Sequence, residues 1–494
     1  MATTITTPSF RQYVFTQHSD LLICTLLAMV PVFVLFKIVY PLPDFFGDSF
    51  MYLLMAIRKD FIYLWPVGYS WCLRFIHVFT SSHFVLVLLQ YLALQLSSLA
   101  LAFTLFYIFR PARWVKLTAL IFLVVNPLTI YIANLISSDA FFASLSLLWL
   151  AMLVQIIYKP SGWLLAVQGM VMALAFCIRY QGLYYPVLMI LALLLAGGPW
   201  WKRLASAAGG IALVAVFIIS TENAYEKKDG IRQFSPAGGW TLAYNCLYMY
   251  PHIQVDTAAL PSGLVLLNQT VANYFDTCSQ YERDMGPRGT VRYLLNENEP
   301  LSVYGYRLLE HFTGKKLMAN FDTAAYVFNI YSRHLVLKHP LAYARYFLLP
   351  NIGCYLVPMQ ETLECYTAQG SQMVPWGVKW FQLGSSYAFS RWPRGSYYLT
   401  GIFPWLFLVI NVVLLVLVCF FLRGKVLPAL FLCQKRCLWF LLAAFVCNAA
   451  FSILAAPVML RYQLYAVLLG LLLMLVLLSL ALNPLKQALA SKTL

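Results

Sequence analysis

Two carboxylates four residues apart, Asp44 and Asp48, stand in the stretch Pro43-Asp44-Phe45-Phe46-Gly47-Asp48-Ser49-Phe50-Met51-Tyr52, just beyond the first membrane-length apolar segment. Acids are scarce here: of 18 Asp and Glu residues, 13 fall between Glu222 and about residue 400, leaving Asp20, Asp44, Asp48, Asp60 and Asp139. An ionisable pair kept at the edge of an apolar segment calls for a chemical account. A positioned carboxylate can take a proton from an attacking hydroxyl and steady an oxocarbenium-like transition state at a sugar carbon. Asp48 is the candidate base and Asp44 the second acid. A structural reading competes: Asp48 or Ser49 would cap the helix that follows, and Asp44 after Pro43 would belong to a turn. The two roles are compatible.

Cations and further polar groups complete the candidate set. Arg179 and Arg461 sit at the ends of apolar segments, where a guanidinium can grip phosphate oxygens bidentately and oppose charge on a leaving group. Both also fit plainer roles, as snorkelling or interfacial anchors. Asp139, in Ser137-Ser138-Asp139, fits the capped first turn of a helix or a ligand contact in a lumen between helices. Tyr52 is a candidate substrate contact or an ordinary interfacial aromatic, and Lys37 sits near the outer end of the first span.

The elements that must position these groups are membrane helices. With 62% hydrophobic and 11% charged residues and a mean hydropathy of +0.74, the chain reads as an all-α integral membrane protein. Apolar segments predict about ten spans, at 20–40, 84–109, 114–135, 139–158, 163–179, 181–197, 203–221, 401–422, 437–457 and 461–482. The first reads as an uncleaved signal anchor. Three regions follow: a transmembrane module over 1–221 with a first loop at 41–83, a hydrophilic loop domain at 222–400, and a second transmembrane module over 401–494.

Basic residues mark every second connection, among them Arg110, Arg113, Lys116, Lys159, Lys202, Arg203, Lys435 and Arg436, which the positive-inside rule makes cytoplasmic. Asp44, Asp48, Asp139, Arg179, Arg461 and the long loop then share the other side. The loop holds 15 Lys and Arg against 13 acids, so most of the net charge of +16 lies in the membrane modules and is a topology signal. Cations this dispersed, without one patch of interleaved aromatics, exclude a nucleic-acid partner. The lipid bilayer is the partner that composition does imply.

Four cysteines, Cys246, Cys278, Cys354 and Cys365, fall in the loop and permit two disulfides, with Cys354–Cys365 favoured by loop closure. No paired CxxC or HExxH spacing occurs, so no dedicated metal site is indicated. Asn268-Gln269-Thr270 forms one glycosylation triplet. The loop is long enough for a small α-rich cap lying on the membrane. Apolar residues around Tyr326, Ile330, Leu337, Tyr343 and Phe347 recur at helical spacing from Asp322 to Leu349, broken at Pro340. In the first loop, Ser49 to Lys59 and Trp65 to Phe79 read as amphipathic helices in the interface plane.

Taken in order, Gly47-Asp48-Ser49 with Tyr52 and Ala56, Trp65-Pro66-Val67-Gly68-Tyr69, Ser138-Asp139-Ala140, Arg179-Tyr180-Gln181-Gly182-Leu183, His339-Pro340 and Arg461-Tyr462 resemble the polyprenyl-phosphate-dependent glycosyltransferases of the GT-C superfamily. Protein mannosyltransferases and aminoarabinose transferases are the nearest types. The resemblance implies a multi-span enzyme, facing away from the cytoplasm, that moves a sugar from a polyprenyl-phosphate donor to an acceptor of unknown class. Asp48 would be the base, and Arg179 would lie near the donor phosphate. It names no certain cofactor and leaves room for a divalent cation. The chain departs from the protein mannosyltransferases in having Gly47-Asp48-Ser49 where they carry an adjacent Asp-Glu pair.

Two other classes share the gross features. A polysaccharide or lipid transporter would place ionisable groups at the bilayer midplane and show repeat symmetry. An envelope-assembly scaffold without catalysis would account for the large loop but not for polar residues converging on one face.

Overall fold

A computed structural model describes residues 8–289, 298–308, 317–360, 372–387, 389–423 and 430–482. Among them the chain is helical, and its only β structure is three isolated bridges. Among the described residues eight helical segments are long and apolar enough to cross a membrane. Two shorter apolar ones, Gly162–Ile178 and Tyr180–Leu195, accompany them.

The first half runs α1 (Ser19–Val39), α2 (Gly47–Arg58), α3 (Gly68–Phe79), α4 (His83–Phe109), α5 (Arg113–Val125), α6 (Pro127–Asn134), α7 (Asp139–Tyr158), α8 (Gly162–Ile178), α9 (Tyr185–Leu195) and α10 (Trp200–Asp229). Helices α4 and α7 form the spine of the bundle. Their facing residues, among them Leu94, Leu101, Leu147, Leu150 and Val154, are fully buried, as a helix enclosed on all sides requires. Local signals set the ends. Ser82 Oγ accepts from Val85 N at 3.4 Å at the start of α4, and Ser161 Oγ accepts from Leu164 N at 3.4 Å at the start of α8. Gly230, at φ +72°, closes α10 in the left-handed conformation that glycine adopts without strain.

The hydrophilic region follows with α11 (Pro236–Leu247), α12 (Val265–Thr277), α13 (Leu317–Lys338), α14 (Leu349–Leu356) and α15 (Pro375–Phe381), and the chain ends with α16 (Gly395–Thr400), α17 (Phe403–Arg423), α18 (Leu432–Ala455) and α19 (Leu464–Leu482). Trp240, Phe328, Tyr331, Tyr343 and Phe347 belong to a hydrophobic cluster of its own, separate from the bundle core. Helices α11 and α13 approach closely because Gly239 has no β-carbon; one there would fall 2.1 Å from the Ala325 carbonyl oxygen. Lys228 near the end of α10 pairs with Asp322 of α13 at 2.9 Å and with Asp229 at 3.6 Å, tying this region to the bundle.

Several sequence expectations change. The span expected at 114–135 is present over Arg113–Asn134 but breaks into two helices, because Pro127 has no N–H to continue α5 and Asn126 Oδ1 instead caps α6 by accepting from Thr129 N at 3.3 Å. Helix α10 runs to Asp229, so the hydrophilic region leaves the bundle beyond residue 222. In α13 the period is right but its phase differs: Phe328, Tyr331 and Leu335 face the core, while Tyr326, Ile330 and Leu337 are exposed. The break at Pro340 is present. Cys246, Cys278 and Cys354 are all unbridged, so neither of the two disulfides that the sequence permits is seen among the described residues; Cys365 lies outside them. Asn268 is buried, its Oδ1 accepting from Tyr250 and Tyr331 hydroxyls at 3.0 and 2.8 Å, so the triplet is a core feature that no glycan could occupy.

Candidate active site

Four charged side chains from distant parts of the sequence meet at one end of the bundle. Asp48 comes from the first turn of α2 and Asp139 from the first residue of α7. Arg179 follows the last residue of α8, and Arg461 comes from the short 3-10 turn Leu460–Gln463 ahead of α19. Asp139 forms an ion pair with Arg179 and lies 3.5 Å from Arg461 Nη1, while Arg461 Nη1 lies 3.8 Å from Asp48 Oδ2. Among the described residues, two cations and two anions therefore share one site.

Exposure separates their roles. The Arg461 and Asp139 side chains keep only 6% and 5% of their accessible surface, whereas Asp48 keeps 29% and Arg179 19%. Asp139 is the enclosed counter-charge to both guanidiniums. Asp48 is the anion that a molecule from outside can touch.

Local geometry holds each group. Ser137 Oγ donates to Asp139 and accepts from its backbone N–H at 3.1 Å, so the carboxylate is fixed from behind. Arg179 Nη1 donates to Ser138 Oγ at 3.4 Å, and the Tyr52 hydroxyl meets the same Ser138 Oγ at 3.0 Å. Tyr52 is buried with its hydroxyl engaged, so it braces the cluster from beneath. Burial lifts its phenol above the ordinary tyrosine range. Both guanidiniums lie over the Tyr462 ring, each Cζ 4.7 Å from the ring centre, and Arg461 also has the Phe46 ring at 4.3 Å. The aromatic faces orient two like charges side by side. Arg461 Nη2 donates to the Tyr462 hydroxyl at 2.7 Å.

The cap of α2 is made by Ser49, whose Oγ accepts from Phe46 N at 3.1 Å. Asp48 sits one residue earlier and gains only the favourable field of the helix N-terminus. The competition between cap and chemistry is thus divided between neighbours. Crowding by protein raises the Asp48 carboxyl above the usual carboxylate range; Arg461 opposes this shift and Asp139 adds to it.

Asp44 occupies a different position. Its N–H donates to Asn134 O at 2.9 Å and its carbonyl accepts from Ile136 N at 3.0 Å, a two-bond bridge to the turn before Asp139. Its carboxylate is buried and accepts from Phe45 N at 3.0 Å. Lys37 is buried as well and donates to Asn134 Oδ1 at 3.0 Å. Asn134 Nδ2 donates in turn to Leu42 O at 3.2 Å. Lys37 and Asp44 therefore fix the first loop against the α6–α7 turn. Asn134 and Phe46 are site supports to which sequence reasoning gave no role, and Ser138 entered only as part of a motif; none of the three stands out by residue type or spacing.

Gly68 begins α3 against the end of α8. A β-carbon there would lie 2.4 Å from the Cys177 carbonyl oxygen, two residues before Arg179. Only glycine lets the two helices meet at that depth.

Among the described residues no group of three or more His, Cys, Asp or Glu side chains is placed to hold a metal ion. Comparison with protein-family models, curated proteins and solved structures yields no match. What the site can do chemically is read from its geometry.

Proposed function

We propose that this chain is a multi-pass membrane glycosyltransferase of GT-C type. In this reading the two short apolar helices join the eight long ones to make ten spans, and the charged cluster faces away from the cytoplasm. The donor is a polyprenyl-phosphate sugar, and the acceptor approaches from the aqueous side.

One observation carries the reading: an accessible carboxylate, Asp48, stands 3.8 Å from a buried guanidinium, Arg461. Asp48 accepts the proton of an acceptor hydroxyl as its oxygen attacks the anomeric carbon from the face opposite the phosphate. The carbon–phosphate oxygen bond breaks with its electrons going to phosphate, and the anomeric configuration inverts. Protonation of Asp48 removes one negative charge from the cluster as another develops on the leaving group. Arg461 and Arg179 then act on the departing phosphate with a field that Asp48 no longer offsets. Asp139 keeps both guanidiniums in place and takes no part in bond making. Asp44 and Tyr52 support the geometry.

The test is an assay of the purified protein against a panel of polyprenyl-phosphate sugars, reading donor hydrolysis as well as transfer. Turnover of at least one donor that disappears in Asp48→Asn is expected. Failure of every donor, or equal turnover by the variant, overturns the reading.

A further inference from the structure

Helices α8 and α10 cross where Gly169 meets Gly210; a β-carbon on Gly169 would lie 2.9 Å from Gly210 Cα. Beside the crossing the helices diverge and leave an open groove of about 610 Å3, lined by Leu165, Gly169, Met170, Lys202, Gly209 and Leu213 among others. That size falls within the ~300–1,000 Å3 of ligand clefts. Its floor is bare, since a β-carbon at Gly162 or Gly209 would meet no atom within 4 Å. Lys202 and Trp201 line the groove near the start of α10, with the ammonium 5.1 Å from the Trp201 ring centre, and Trp163 and Trp200 at the starts of the two helices are exposed. Tryptophan with lysine at the end of an apolar helix is the composition of a membrane–water interface.

Charge identifies the occupant. No Asp or Glu occurs between Asp139 and Glu222, so neither helix offers Lys202 a counter-ion from its own stretch of chain. The connections sharing that end of the bundle hold Lys159, Arg203 and Arg436, and Asp20 is the sole acid at that end of the sequence pattern. A second copy of the chain seated in the groove would set these cations against one another. A molecule with an apolar tail and an anionic head satisfies both the floor and the lysine.

We propose that this groove binds an anionic phospholipid, with an acyl chain over Gly162 and Gly209 and the phosphate at Lys202. The site lies at the end of α8 opposite Arg179. It depends on α8 and α10 crossing the bilayer and is independent of the glycosyltransferase reading.

The test uses the purified full chain in neutral detergent, with phosphatidylglycerol, phosphatidylcholine and soluble glycerol phosphate as probes. Native mass spectrometry reads retained lipid and oligomeric state, and a melting curve reads stabilisation. Phosphatidylglycerol is expected to stay bound to the monomer and raise the melting temperature, with little effect from the other two. Lys202→Gln weakens retention by roughly 5-fold, the scale of one interfacial cation. Gly209→Leu fills the floor and abolishes retention, while Lys116→Gln, a cation elsewhere on the basic end, changes nothing. Equal retention of phosphatidylcholine, full retention by Lys202→Gln, equal stabilisation by glycerol phosphate alone, or a dimer that Gly209→Leu dissociates would each overturn the proposal. Should Gly209→Leu fail to fold, the surface change Lys202→Gln decides alone.

Discussion

Arg461 Nη1 reaches to within 3.8 Å of Asp48 Oδ2, so the last membrane helix and the first loop are joined across the mouth of the bundle. Replacing Asp48 by Asn keeps the shape of that contact and removes the capacity to accept a proton. Transfer is expected to fall by about 10²–10⁴-fold, the usual worth of a positioned base. The melting temperature should hold or rise, because an ionised carboxylate in this crowded position is disfavoured. Transfer at the parental rate would sink the assignment of Asp48.

The pH profile follows from the same residue. Burial raises the Asp48 carboxyl, so the base form is lost at a higher pH than for an ordinary aspartate, and the acid limb of kcat/KM should lie above about 4. For stability the sign is opposite to that of a salt-bridged acid. The folded state binds the proton more readily than the unfolded chain, so the destabilising contribution is present above the folded pKa and fades as pH falls through it. Asp48→Asn should flatten this part of the stability curve and leave the rest; an acid limb at an ordinary carboxylate pKa counts against the assignment.

Ser49→Ala separates capping from chemistry. Loss of the Ser49 Oγ acceptor for Phe46 N costs about 1 kcal/mol of stability. Donor turnover at permissive temperature should stay within a few-fold of the parent. A loss of transfer as deep as that of Asp48→Asn, in a folded protein, would mean that the helix end and the reaction are inseparable.

Asp139→Ala should be the most damaging of the single changes. It removes the acid that both Arg179 and Arg461 face, a loss of about 3–5 kcal/mol for breaking a buried pair. Thermal denaturation in detergent measures this. A variant as stable as the parent would show that the enclosed carboxylate is not what holds the guanidiniums.

Much of the helical plan was legible because apolar runs of membrane length announce themselves. Asp48, Asp139, Arg179 and Arg461 were legible for the complementary reason, since charges are rare enough in such a chain to be conspicuous. Their division of labour was not. Asp139 read as either a first-turn cap or a ligand contact, and Asp44 as either a second acid or a turn residue; the two arginine partners of the first and the backbone bridge of the second to Asn134 and Ile136 had no sign in the sequence. Those pairings depend on distances between segments far apart in sequence, which spacing along the chain does not encode. The phase of α13 failed for a related reason: where leucine and tyrosine occupy both faces of a helix, the period survives but the core face is chosen by its partner α11.

The bridge between Asp44 and Leu135 has a mechanical consequence. Two backbone hydrogen bonds there tie the loop carrying Asp48 to the turn carrying Asp139, so the spacing of the two carboxylates is set by the backbone. The arginines enter from α8 and from the turn before α19, outside that bridge. In the glycosyltransferase reading, the cluster is expected to admit a phosphate from the arginine side, since the two acids are tied to one another through the backbone.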